Sequence, residues 1–127
     1  MAGQITQQFI DALHRLEDDR DHDTIASLFD DNAELMNVAR ETQPHGRDGA
    51  EAFWDDYRSV FDRIHSEFTS IKEGDNFAVL EWHAGGTLAN GAPIEYDGVS
   101  VLEFASDHIS RFATYFDSRA FARTHPA

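Results

Sequence analysis

The sequence has no cysteine, three prolines, two methionines and a single lysine, Lys72, among 127 residues. Without cysteine there are no disulfides, no thiolate metal sites and no cysteine nucleophile. No apolar run approaches the ~20 residues that a membrane-spanning helix needs. The opening stretch MAGQITQQFIDAL lacks the basic flank and the long apolar segment of a secretory signal, so a cytoplasmic location is expected. No Gly-rich phosphate loop and no Gly-x-Ser-x-Gly elbow occurs, and the seven histidines form no His-x-x-x-His step. No metal and no cofactor is therefore expected.

What is present is acidic and aromatic. Twenty-four acidic residues against ten basic ones give a formal net charge of −14, a field that repels nucleic acid and anionic lipid. Neither is expected as a partner. Many aspartates with almost no lysine fit a salt-adapted source as well as an ordinary acidic cytosolic protein. The clusters Glu17-Asp18-Asp19, Asp21, Asp23 and Asp30-Asp31 fall at predicted helix ends and read as solvated caps. With 41% apolar residues, ten Phe and two Trp, the chain has material for one core over 1–127 and for lining or filling a cavity.

Periodicity places helices first and strands after. Residues 4–18 carry Ile5, Phe9, Ile10, Leu13 and Leu16 at helical spacing, with Thr6 as a candidate N-cap. Asp21-His22-Asp23 reads as a second helix start and Ala33–Val38 as a short strand. Arg40–Gly46 reads as a loop. A third helix, capped by Asp48 and running to about Asp62, bears Ala50, Phe53, Trp54, Tyr57, Val60 and Phe61. Strands are predicted over Ile64–Lys72, Phe77–Leu88, Ile94–Phe104 and Ile109–Phe116, with turns at Glu73–Asn76, Asn90-Gly91 and Ser106–His108. Ala84–Thr87 reads as a bulge, and Ser118–Arg123 as a short closing helix. This order predicts an α+β fold.

Four segments in this order, LFDDNAEL at 28–35, HGRDGAEAFW at 45–54, VSVLEF at 99–104 and ISRFATYFD at 109–117, resemble the SnoaL-like branch of the nuclear transport factor 2-like (ketosteroid-isomerase-like) superfamily. The resemblance implies three N-terminal helices packed on a strongly curved, mainly antiparallel sheet, forming a cone with an internal pocket. It also implies a homodimer through the outer sheet face, which Leu80 and Trp82 would need covered. The superfamily holds isomerases, cyclases, dehydratases, epoxide hydrolases and non-catalytic binding modules, so fold alone does not assign a reaction.

Carried over residue by residue, the resemblance sets ketosteroid isomerisation aside and keeps one polar role of the limonene-epoxide-hydrolase set. The ketosteroid isomerase base, tyrosine and second aspartate would fall at Asn37, Leu13 and Ser100. The Arg-x-Asp step of limonene-epoxide-hydrolase-like enzymes would fall at Glu81-Trp82-His83, the other aspartate at Thr114, and the water-holding Asn and Tyr at Asn37 and Leu35. Only Asn37 is kept. What is left is the pair Glu81 and His83, two apart in a strand and so on one face. The resemblance points that face, with Phe77 and Val79, into the cavity, where the pair could move a proton. A satisfied pair or a subunit contact is the competing reading. Asn37 completes the candidate catalytic set. Leu13, Leu35, Trp54, Tyr57, Tyr96, Ser100, Phe112 and Thr114 are the expected contacts to a small apolar oxygenated ligand. Cofactor-independent acid–base catalysis, binding without turnover, and an interaction domain with an aromatic-filled cavity are the three expectations.

Overall fold

The computed structural model describes residues 2–39 and 43–122. Helix α1 (Ala2–Asp19) is followed by α2 (His22–Ala26), strand β1 (Phe29–Asn37) and helix α3 (Gly46–Ser59). Four strands then run as a meander: β2 (Phe61–Glu73), β3 (Phe77–Leu88), β4 (Pro93–Ala105) and β5 (His108–Phe116). A short α4 (Arg119–Ala122) closes the described chain. The sheet order is β1-β5-β4-β3-β2, with β1 parallel to β5 and every other pair antiparallel. The result is an α+β fold whose helices cover one face of a curved sheet.

The hairpin turns form where the sequence places them, after Glu73 and around Asn90-Gly91, where Gly91 takes φ 90° as the turn requires. Asp21 caps α2 by accepting from the Thr24 N–H at 3.1 Å. Other boundaries move. Helix α1 begins before Thr6, which is buried within it instead of capping it. Helix α3 starts at Gly46, whose φ of 74° favours glycine and where a Cβ would lie 2.9 Å from the Asp31 carbonyl oxygen, so Asp48 lies in the first turn and His45 is the cap residue. That helix stops at Ser59, and Phe61 opens β2 instead. Of the loop expected at 40–46, residues 40–42 lie outside the described residues, as does Arg123.

The Ala84–Thr87 segment is not a bulge. It pairs in unbroken register with Tyr96–Pro93, and the register shifts fall in β2–β3, at Phe61/Arg63 and Phe68/Ser70. Gly86 is there because a Cβ would sit 2.0 Å from the Arg63 carbonyl oxygen. Substituting Gly86 by valine is expected to separate β2 from β3 and to cost about 3 kcal/mol or more, read from the urea midpoint.

Two apolar clusters organise the interior. The larger joins α1, α2 and α3 to β1 and β5 through Phe9, Phe29, Trp54 and Phe112. The smaller lies towards the other end of the sheet around Phe61, Ile94, Tyr96 and Ala120.

Candidate functional site

Between the two clusters lies a cavity of about 560 Å³, within the size range of small-molecule sites. Helix α1 contributes Phe9 and Leu13 to its wall, and α3 contributes Phe53, Trp54 and Tyr57. The sheet contributes Asn37 from β1, Ser66 from β2, Trp82 from β3, Tyr96 and Ser100 from β4, and Phe112 and Thr114 from β5. The helical residues reach it because α3 presents Phe53, Trp54 and Tyr57 on one stripe. The strand residues reach it because alternate positions face the helices.

A polar strip crosses the apolar wall. The Trp82 indole N–H donates to Ser100 Oγ at 2.9 Å, and the Ser100 and Thr114 hydroxyls are 3.1 Å apart. Thr114 is the parallel-strand partner of Asn37, whose Oδ1 accepts from the Ala39 N–H at 2.8 Å. Trp54 Nε1 is a buried donor without a partner among the described residues. Gly98 makes the strip possible, since a Cβ there would lie 2.3 Å from Trp82 Cζ2. Gly98→Val is expected to drive the indole off Ser100 and into the cavity, seen as a shifted tryptophan emission and a lost ligand response.

Glu81 and His83 are not on this wall, which corrects their expected position. They share a face, but it is the outer one. Ala78, Leu80 and Ala84 are fully buried and Trp82 lines the cavity, whereas Glu81 is exposed. The hydrophobic effect fixes the phase of the strand, and the uniformly apolar set Ala78, Leu80, Trp82 is the one turned inward. Leu80 and Trp82 thus need no partner subunit to cover them. Outside, the side chain of His83 is 42% exposed, with Nδ1 2.7 Å from Asp97 and Nε2 3.0 Å from Glu95 across the β3–β4 pair. Hydrogen bonds to Asp97 and then Glu95 hold its pKa above the usual histidine value. The stabilisation is therefore present below the ordinary value and lost as pH rises through the raised one. His83→Ala is expected to remove that salt-sensitive slope from a stability–pH curve and to change ligand affinity less than about twofold. On the neighbouring strand, Arg111 pairs with Glu103 at 3.1 Å.

The group that sequence reasoning missed is Glu17. Taken as part of a solvated acidic cap, it is only 2% exposed. Its carboxylate accepts the Ser66 N–H at 3.0 Å, the Ser66 hydroxyl at 2.6 Å and the Tyr57 hydroxyl at 3.3 Å. Desolvation pushes its pKa up, against the opposing hydrogen bonds from Ser66. Burial and the neighbouring Tyr96 and Glu17 hold Tyr57 far above the ordinary tyrosine value, and burial and then Glu17 raise Tyr96. The signal in the sequence was spacing: Thr6, Ile10, Leu13 and Glu17 follow the helical period, so Glu17 continues a buried stripe.

His14 stacks on His65 with ring centroids 5.1 Å apart, and His65 Nδ1 is 4.0 Å from Glu17 Oε1. One donor atom each from His14, Glu17 and His65 falls within 4.8 Å of the others. The Glu17 oxygens are taken by Ser66 and Tyr57, and His14 Nε2 bonds the Ser66 carbonyl oxygen at 2.9 Å. Hydrogen bonds to Ser66 and Tyr57 hold this cluster together. His22, Asp23 and Glu51 also bring donor atoms together, on the surface and away from the cavity.

Residues 6–112 match the model of the SnoaL-like domain family. The chain belongs to that family. The same architecture recurs in an NTF2-like protein of unknown function from Burkholderia pseudomallei K96243, with TM-score 0.84, 18% identity, and coverage of 98% of this chain and 96% of that one. It recurs in a ketosteroid-isomerase-like fold from Catenulispora acidiphila DSM 44928 in complex with trimethylamine, with TM-score 0.80, 15% identity, and coverage of 94% and 90%. A third is an LEH-like epoxide hydrolase of M. tuberculosis, with TM-score 0.73, 15% identity, and coverage of 94% and 85%. At these identities the likeness is one of fold. No curated protein sequence matches.

Within this SnoaL-like fold, the structure brings Leu13, Asn37, Trp54, Tyr57, Tyr96, Ser100, Phe112 and Thr114 together around one cavity. Leu35 is not among the lining residues; it is fully buried in the larger cluster. His45, the cap residue of α3, forms an isolated antiparallel bridge with Glu34.

Proposed function

We propose that this SnoaL-like protein binds a small, neutral, mostly apolar molecule carrying one or two oxygen atoms. One observation carries the reading: among the described residues, the lining of a 560 Å³ cavity contains aromatic rings, hydroxyls, an amide and indoles, but no carboxylate, imidazole, guanidinium or amine. A charged ligand would lose its hydration there without gaining a counter-ion. A neutral ring with an oxygen would bury its apolar area against Phe9, Phe53 and Phe112. Its oxygen would meet Ser100, Thr114, Tyr57 or the unpartnered Trp54 N–H, an arrangement of few polar groups on an apolar wall that suits orientation of such a ligand.

Acid–base catalysis on the Glu81–His83 pair is not part of this proposal, because both lie outside the cavity. Among the described residues, a proton would reach a bound molecule through a lining hydroxyl, and Tyr57 and Ser66 are the two bonded to a carboxylate. Isomerisation, dehydration or epoxide opening would use that route. Binding without turnover uses the same wall and is the alternative. A homodimer through the outer face is also proposed, resting now on Phe77 and Tyr115, which expose 41% and 38% of their surface. Light scattering would return a monomer mass if that were wrong.

The test is thermal denaturation against neutral steroids, terpenoid epoxides, aromatic phenols and lactones, beside Ser100→Phe, which fills the cavity. A ligand at a hundred times its dissociation constant adds about 2.7 kcal/mol. Stabilisation of the wild type by at least one class, absent in Ser100→Phe, is expected. Equal shifts in both proteins would place the ligand elsewhere.

A further inference from the structure

We infer that Glu17, which is not part of the cavity wall, decides which hydrogen-bonding sense the cavity presents to its ligand, by setting whether the Tyr57 hydroxyl accepts or donates. The inference rests on the cavity-binding reading above and identifies a specificity-determining residue behind it.

The geometry is a three-layer stack. Tyr57 and Ser66 line the cavity. Glu17 sits behind both, bonded to each. On its other side Glu17 borders a separate recess near the surface, which it shares with His65 and Arg58. Of the three bonds to the carboxylate, the one from Tyr57 is the longest at 3.3 Å, so it is the one a ligand competes for. When Glu17 is ionised it can only accept. The Tyr57 proton is then committed to it, and Tyr57 turns a lone pair to the cavity. A ligand hydroxyl, a phenol or an enol, is the matching partner. When Glu17 is protonated its O–H can donate to Tyr57 Oη, which frees the Tyr57 proton to point at a carbonyl, epoxide or ether oxygen. No covalent bond need change for this inversion beyond the one proton that Glu17 gains.

The ionisable neighbours of Glu17 come from every element around it. His14 is on its own helix. Tyr57 and Arg58 come from α3, with the Arg58 Nε–H donating to the Glu17 carbonyl oxygen at 3.1 Å. His65 comes from β2, and Tyr96 from β4 acts at longer range. Burial raises the carboxyl's pKa above its ordinary value, against the hydrogen bonds from Ser66. Arg58 is spent on the backbone, also donating to the Phe61 carbonyl oxygen at 2.7 Å.

The experiment uses two neutral probes of the same ring system, 2-naphthol as donor and 2-acetylnaphthalene as acceptor, with affinities measured from about pH 4 to about pH 8. In the wild type, 2-naphthol is expected to bind about tenfold tighter as Glu17 ionises, and 2-acetylnaphthalene about tenfold weaker, a factor of the size one hydrogen bond supplies. Glu17→Gln should flatten both curves. Tyr57→Phe, which leaves Glu17 and its Ser66 bonds in place, should flatten them too, and His65→Ala should leave the crossing intact. Parallel pH dependence of the two probes in the wild type overturns the inference, as does a crossing that survives in Glu17→Gln or is lost in His65→Ala. If neither probe binds at any pH, the cavity reading itself fails and takes this inference with it.

Discussion

Phe112→Ala is expected to destabilise the protein by about 3–5 kcal/mol. Phe112 is 2% exposed, and its ring contacts four others: Trp54 at 5.0 Å, Phe9 at 5.6 Å, Phe53 at 5.8 Å and Phe29 at 6.4 Å between centroids. Those rings join α1, β1 and α3 to β5, so the substitution removes the packing on which the helical layer rests. The phenyl ring also forms part of the cavity wall, and its loss enlarges a space that is already open. Phe112→Leu keeps most of the volume and is expected to cost roughly half as much or less. Chemical denaturation of the three proteins measures this. Equal midpoints would mean that the aromatic cluster does not carry the stability assigned to it.

Removal of the Glu17 side chain is also expected to be costly. Glu17→Ala strands the Ser66 N–H and the Ser66 and Tyr57 hydroxyls, and unsatisfied buried groups cost about 1–3 kcal/mol each when water cannot reach them. A loss of about 3 kcal/mol is expected. Glu17→Gln keeps an acceptor for the Ser66 N–H and removes the charge, so it should cost less than about 1 kcal/mol. The pH dependence has a definite sign. Because the folded-state pKa is raised above the ordinary 4.5, stability is greatest below that ordinary value and falls as pH rises through the raised one. Stability–pH curves of wild type and Glu17→Gln should therefore converge at acid pH and separate above it, with the wild type lower relative to its acid value. A wild-type curve that rises over that interval, with Glu17→Gln flat, would contradict the assignment.

How much of this was legible in the sequence depended on whether a periodic pattern had one solution or two. The α3 stripe of Phe53, Trp54 and Tyr57 had one, because a helix buries a single apolar face, and all three reached the cavity. The β3 strand had two. Alternation established that Glu81 and His83 share a face, but pointing that face inward relied on the family resemblance, against the plainly apolar Ala78, Leu80 and Trp82. Packing chose the apolar set. Glu17 was hidden differently: its neighbours Asp18 and Asp19 made an acidic run that read as solvent-facing, and only its step from Leu13 marked it as buried. The bonds that make it acceptable inside come from Ser66, 49 positions away, and no local pattern reports such a partner. Gly86 and Gly98 were equally silent, since their constraint comes from Arg63 and Trp82 on the neighbouring strand.

The chain has two tryptophans, and both line the cavity, so the most direct measurement is the pair of indole N–H signals in a nitrogen-15 correlation spectrum, assigned by Trp54→Phe and Trp82→Phe, during titration with a neutral oxygenated ligand that stabilises the protein. Both indole signals are expected to move together and to saturate at the dissociation constant seen in denaturation, while the His83 imidazole signals stay where they are. Movement of the His83 signals with both indoles unmoved would place the ligand on the outer face of the sheet and contradict binding in the cavity.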